Sequence, residues 1–187
     1  DRTVVEPPTM NGTELRSYAE TERAQVVALR YQGGTLSMVL VLPKSGKTLD
    51  DVVAAEDVAT WTKAFETRRV ELSLPKFEFH FGAELKPTLT KLGMPTPFDQ
   101  GRADFRGILP ERLAIGAVLQ QAFIAVDEHG TEAAAATAVV MVRGAKASKE
   151  QEPVVFRADH PFLFFLRNDS TGAVLFCGRV ADPTSKE

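Results

Sequence analysis

Alternation of apolar and polar positions dominates most of the chain. Three β-prone runs come first, at residues 14–19, 24–31 and 35–42, and Gln32-Gly33-Gly34 between the last two suits a hairpin turn. Helical spacing follows over 48–56 and 58–68, with Thr48 and Asp57 as N-caps and Leu49, Val52 and Val53 on one face. Trp61 and Phe65, four residues apart, share a helical face and are expected to anchor a core. Beyond residue 69 the apolar positions recur every second residue, first Val70, Leu72 and Leu74, then Phe77, Phe79 and Phe81, with Pro75 breaking the run into two strands. Residues 83–92 predict a short helix ended by Gly93, with Pro87 as a kink. Residues 113–126 are almost continuously apolar, the pattern of a central strand buried on both faces. Residues 154–156, 162–167 and 173–180 supply the closing strands. These elements predict an α+β fold of mainly antiparallel β-sheets with peripheral helices, and no interior linker divides it.

Composition narrows the function classes. At 187 residues, 44% hydrophobic and 25% charged, the chain is ordinary globular material. Its net charge of -3, with no basic cluster beyond Arg68-Arg69, argues against nucleic acid or an anionic membrane as partner. The apolar runs are too short for a membrane-spanning helix, and the first residues, Asp-Arg-Thr-Val-Val-Glu-Pro-Pro, do not read as a signal peptide. His80, His129 and His160 stand in unrelated settings without metal-ligand spacing, so no metal or other cofactor is expected. Cys177 is the single cysteine and lies in the apolar run Val174-Leu-Phe-Cys-Gly, which predicts a buried structural thiol. No segment sets a nucleophile beside a base, so the chain is not read as an enzyme. Asn11-Gly-Thr13 and Asn168-Asp-Ser170 match the glycosylation acceptor pattern, the second doubling as a hairpin turn.

One stretch fits neither the sheets nor the helices. After Phe123-Ile-Ala-Val, residues 127–130 punctuate the chain, and a long small-residue run then ends in the polar Lys-Ala-Ser-Lys-Glu-Gln-Glu before Pro153. An Ala-rich helix and a linker both suit its composition. Taken as extended, it places Thr131, Ala133, Ala135, Thr137, Val139 and Met141 on one face and Glu132, Ala134, Ala136, Ala138, Val140 and Val142 on the other. Glu132 marks the face that can stay wet, and the other face carries only small or β-branched residues until Met141, so such a strand could slide between two others with little obstruction.

Glu128-His-Gly-Thr-Glu-Ala-Ala-Ala-Ala-Thr resembles the reactive-loop hinge of serpins. The run Phe156-Arg-Ala-Asp-His-Pro-Phe-Leu-Phe-Phe-Leu-Arg and the later Leu175-Phe-Cys-Gly-Arg-Val-Ala-Asp-Pro are similar to their C-terminal signature, with Leu74-Pro-Lys-Phe and Ala103-Asp-Phe-Arg-Gly-Ile upstream. The resemblance covers essentially the whole chain and implies a serpin-like fold of which residues 1–187 are the C-terminal part. Residues 128–153 would be the reactive-centre loop, and the N-terminal half of the same serpin is the implied structural partner.

The resemblance also implies a mechanism. A suicide-substrate inhibitor of serine proteases, with cysteine proteases as a second target class, is cleaved in the loop and carries the acyl-linked protease away as the loop inserts into the central sheet. Gly130, Thr131, Glu132, Ala133, Ala134, Ala135, Ala136 and Thr137 would form the hinge that enters first. Lys76 and Glu128 match positions that form an ion pair where the loop enters the sheet. Gln120 stands where the family usually has a histidine controlling sheet opening; its amide can still donate and accept, but pH sensitivity tied to that histidine would be lost. Family spacing from Glu128 puts the cut between Gly144 and Ala145, whereas a loop shorter by one residue puts it between Arg143 and Gly144. The target would then be elastase- or subtilisin-like in the first case and trypsin-like in the second. A secreted, extracellular protein is the expected setting, and a non-inhibitory serpin acting as a carrier or chaperone is the alternative.

Overall fold

The structure is a computed structural model that describes residues 6–127 and 152–185. Nine strands and three short α-helices alternate along them: β1 (Thr9–Glu20), β2 (Ala24–Arg30), β3 (Leu36–Pro43), α1 (Leu49–Ala55), α2 (Val58–Lys63), β4 (Glu66–Pro75), β5 (Phe77–Glu84), α3 (Lys86–Lys91), β6 (Leu119–Val126), β7 (Val154–Arg157), β8 (Phe162–Asn168) and β9 (Val174–Val180). Seven strands form one sheet in the order β7-β4-β1-β2-β3-β8-β9, and β5 and β6 form a two-stranded sheet. The chain divides into two compact units, one comprising the residues up to Glu78 with Ala125–Ser185, the other Phe79–Ile124.

In the first unit every neighbouring pair of the large sheet is antiparallel except β4 and β7, which run parallel from Val70↔Val154 to Ser73↔Arg157. The β2–β3 hairpin turns at Gly33 and Gly34, whose φ angles of 87° and 68° suit residues without a Cβ. One face of the sheet carries Ala19, Ala24, Val26, Ala28, Val39, Val41 and Leu163, covered by Leu49 and Val52 of α1 and by Trp61 of α2. Thr48 and Asp51 close a capping box on α1, and Asp57 accepts the Thr60 N–H at 2.7 Å to start α2. The opposite face carries Val27, Leu40, Leu72, Leu74, Phe156, Phe162 and Phe164, all buried. Phe77 packs on Phe162 and Phe164 with ring centroids 5.9 and 5.5 Å away.

The structure redraws several expected elements. The helix predicted over 58–68 stops at Lys63, because β4 begins at Glu66 and pairs with β1 over the whole register from Tyr18↔Glu66 to Thr9↔Pro75. A ten-residue ladder outweighs the modest helical propensity of that stretch. The strand expected over 113–126 is confined to β6, and it is not buried on both faces: Leu119 is 76% and Phe123 53% exposed. β3 is the strand that meets that description, with Met38, Val39, Leu40 and Val41 fully buried between β2 and β8. Cys177 is exposed rather than buried, because β9 is the outermost strand beside β8 and presents both faces of residues 174–177 to solvent.

In the second unit, Pro87 does not kink a helix but occupies the first turn of α3, where its missing N–H leaves no bond unmade. The Leu85 N–H donates to Val118 O at 2.7 Å, and Glu84 Oε1 accepts the Val118 N–H at 3.2 Å. His80 lies against Phe123, 4.7 Å between ring centroids.

Back in the large sheet, Gly178 of β9 pairs with Phe164, and a Cβ built on it would come within 2.5 Å of the Phe164 ring. Phe77 lies against that ring, 5.5 Å between centroids, which limits the space for it to shift. Gly178→Ala is therefore expected to cost about 1–3 kcal/mol through overpacking, read as a lower denaturation midpoint; an unchanged midpoint would mean that the ring has room to move.

Candidate functional site

The residues singled out by the hinge and loop motifs fall in three places. Lys76 is the single residue between β4 and β5, so it joins the large sheet to the two-stranded one. It is half-buried, and its N–H donates to Pro8 O at 2.8 Å. Gln120 is exposed on β6, and its Nε2 donates to the neighbouring Gln121 O at 3.1 Å. Gln120 and Lys76 belong to different compact units. Glu128, the hinge residues 130–137 and the two candidate scissile bonds at 143–145 lie outside the described residues, as does the expected Lys76–Glu128 ion pair.

Chain connectivity defines the setting of that segment. Its N-terminal side leaves β6 after the buried Val126, and its C-terminal side becomes β7 at Val154. Both of its attachments are therefore strands: β6 pairs with β5, and β7 pairs with β4, the strand that leads through Lys76 into β5. A peptide bond cut between them would separate two strand-anchored ends.

β7 is a four-residue edge strand held from two sides. Toward β4, Phe156 is fully buried opposite Leu72, and just past the strand the Ala158 N–H donates to Ser73 O at 2.9 Å. From the far side, Gln25 at the start of β2 donates through Nε2 to Val155 O at 3.2 Å. Two strands, β4 and β1, separate β7 from β2 in the sheet, so this bond requires the sheet to curl strongly toward the face carrying Gln25. Gln25 Nε2 also donates to Tyr18 Oη at 3.1 Å, the Tyr18 hydroxyl donates to Glu20 Oε2 at 3.1 Å, and Lys44 Nζ meets Glu20 Oε1 at 2.6 Å. Burial pushes the Tyr18 phenol up to about 12, and the Lys44 hydrogen bond holds the Glu20 carboxyl below its ordinary range. The chain Lys44–Glu20–Tyr18–Gln25 ends on a β7 carbonyl.

Sequence reasoning missed this network, although a signal existed. Gln25 shares the parity of Val27 and Leu29, both buried, so it is a polar residue at a core-facing strand position and needs a partner there. Among the described residues no group of three or more His, Cys, Asp or Glu side chains is placed to hold a metal, and no helix is long and apolar enough to cross a membrane.

The sequence model of the family described as Serpin (serine protease inhibitor) matches residues 1–183. This chain belongs to the serpin family. It is 40% identical over 179 residues to an uncharacterized serpin-like protein of Thermococcus kodakarensis, covering 94% of this chain and 41% of that protein. It is 41% identical over 172 residues to Serpin B8 of Homo sapiens, covering 89% of this chain and 45% of that one. The fold is similar to that of native protease nexin-1, crystallised with heparin, at a TM-score of 0.78 and 30% identity over 95% of this chain and 48% of that one. It is also similar to the native thermophilic serpin Tengpin, at a TM-score of 0.74. The expected α+β serpin fold is thus correct. The chain spans less than half the length of the curated relatives it matches. Serpins are generally inhibitors of proteases rather than catalysts, and the extracellular location expected above finds no support in these comparisons.

Proposed function

We propose that the protein to which this chain belongs is a suicide-substrate inhibitor of serine proteases, with cysteine proteases as a second class, that traps the acyl-enzyme by inserting its cleaved loop into the central sheet. The observation that carries this reading is the hinge: Gly130, Thr131, Glu132 and Ala133–Ala136 follow β6 in sequence after Asp127-Glu128-His129, in a chain whose residues 1–183 match the serpin family. Small side chains keep the steric cost of a new strand low, and each inserted residue advances the attached protease by about 3.3 Å. A non-inhibitory carrier or chaperone has no need of that composition. Lys76 with Glu128 would latch the point where the loop enters, and Gln120 would take part in opening the sheet. The N-terminal half of the serpin would supply the strands between which the loop inserts, and would cover the exposed apolar residues of β6 and β9.

Mixing the full-length protein with trypsin-, elastase- and subtilisin-like proteases should give a denaturant-resistant adduct with at least one of them. Cleavage without an adduct would support the carrier reading instead. The same reaction identifies the scissile bond. Arg143 is the only strongly directing side chain between Val139 and Ala145, and a trypsin-like pocket would grip it through a paired carboxylate. Mass spectrometry of the released C-terminal peptide should find Gly144 first for the Arg143–Gly144 cut or Ala145 first for the Gly144–Ala145 cut. Arg143→Ala should abolish trapping of trypsin-like enzymes while sparing elastase- or subtilisin-like ones. A peptide starting before Val140 or after Lys149 would rule out both bonds.

A further inference from the structure

We infer that Gln25 is a positioning residue that clamps β7 to the sheet and thereby holds the C-terminal anchor of the loop segment in place. The inference rests on the inhibitory reading for its consequence, but the clamp itself is a property of the described sheet.

β7 has few means of staying attached. It is four residues long, lies at the edge of its sheet, and among the described residues makes its ladder with β4 alone, in the parallel geometry that is slightly weaker per residue. The Ala158 N–H bonds Ser73 O on the β4 side, so the alternate residue Val155 directs its backbone polar groups away from β4. An edge carbonyl of that kind ordinarily faces water. Here it accepts from Gln25 Nε2, a side chain from a strand 130 positions away in sequence. Gln25 is not free to swing to solvent, because the same nitrogen donates to the Tyr18 hydroxyl, which Glu20 and Lys44 fix in turn. The bond therefore ties the otherwise open side of β7 to the ends of β1, β2 and β3.

The mechanical consequence follows from connectivity. An uncleaved segment 128–153 is fixed at β6 on one side and at β7 on the other, so it can leave its starting position without cleavage only if β7 peels from β4. A clamp on Val155 opposes that peeling and does not oppose movement after cleavage, when the N-terminal piece is no longer joined to β7. Gln25 should accordingly influence how long the uncleaved inhibitor stays active, with no effect on how the cleaved one traps its target.

The test is Gln25→Leu in the full-length protein, which keeps the volume and removes the donor, with Gln25→Glu as a second variant that keeps the polarity but offers the carbonyl no N–H. Loss of one net hydrogen bond should raise amide exchange of Phe156 and Ala158 by roughly 3- to 10-fold in both variants, while exchange in β2 and β3 stays as in the parent. Equal exchange at Phe156 and Ala158 in parent and variants would overturn the clamp, whatever the protein inhibits. A uniform rise across β2, β3 and β7 would overturn it too, since it would reveal only a general loss of stability. If the protein forms adducts with a protease, the variants should also lose inhibitory activity several-fold faster on incubation without protease, with the chain remaining uncut and the initial stoichiometry of inhibition unchanged.

Discussion

Thr131→Arg is expected to convert the inhibitor into a substrate: the protease should cut the loop at its normal rate and leave, with little denaturant-resistant adduct formed. In the extended reading of the segment, Thr131 is the first side chain of the hinge that must pass into the sheet, on the face shared with Ala133, Ala135 and Thr137. An arginine there would carry an unpaired charge into a desolvated position, at a cost of several kcal/mol. Trapping is a race between insertion and hydrolysis of the acyl bond, and about 1.4 kcal/mol added to the insertion barrier slows it tenfold. The margin available is limited. About ten new ladder hydrogen bonds at roughly 1 kcal/mol each give insertion on the order of 10 kcal/mol, comparable with the about 5–15 kcal/mol that hold a protease folded. Ala133→Pro should act in the same direction by removing one ladder donor and restricting φ. Titrating a fixed amount of protease with each variant reads the effect as a rise of more than about tenfold in the stoichiometry of inhibition. A stoichiometry equal to the parent's in both variants would show that loop insertion is not how this protein works.

Residues that alternate cleanly were legible in the sequence, and those whose partners lie far away were not. The 24–42 hairpin, the caps Thr48 and Asp57, and the strands at 154, 162 and 174 emerged near their observed bounds because each depends on local turn chemistry or period-two patterning. The start of β4 did not, because residues 66–68 are held as strand by β1, some fifty positions earlier. Continuous apolarity misled in the other direction. Residues 113–126 and 36–43 look alike in composition, yet of the two only β3 is flanked, among the described residues, on both sides by strands and packed on both faces. Cys177 misled for the same reason, since an apolar run on an outermost strand is buried only if something covers it, and among the described residues nothing does. The candidate site was proposed from motif order and composition, which need no partner strand, and apart from Lys76 and Gln120 its residues lie outside the described ones. The network from Lys44 to Gln25 was not, because a hydrogen bond from β2 to β7 exists only once the sheet has curled.

Trp61→Ala should be among the most destabilising single substitutions in the chain, at about 3–5 kcal/mol for loss of a buried aromatic. α2 has six residues and α1 seven, lengths that do not persist as helices in water without packing. Trp61 is the one buried side chain of α2; its ring lies 5.8 Å from that of Phe165 and joins Leu49 and Val52 over the sheet face that carries Val26, Val39 and Val41. Its indole Nε1–H also donates to Glu56 Oε2 at 2.6 Å, and Glu56 in turn lies 3.8 Å from Arg23. Truncation would therefore open a cavity and strip a largely buried carboxylate of its donor at the same time. Trp61→Phe separates the two effects, because it fills most of the volume and forfeits only the hydrogen bond, at about 1–3 kcal/mol. Denaturant unfolding of the full-length variants should rank parent above Trp61→Phe above Trp61→Ala. A loss below about 1 kcal/mol for Trp61→Ala would mean that α2 contributes little to holding the sheet. Because this face lies opposite the one that carries Gln25 and Phe156, amide exchange in β7 should rise in Trp61→Ala only as far as the global stability falls. That pattern would separate it from the β7-specific rise expected on loss of the Gln25 donor.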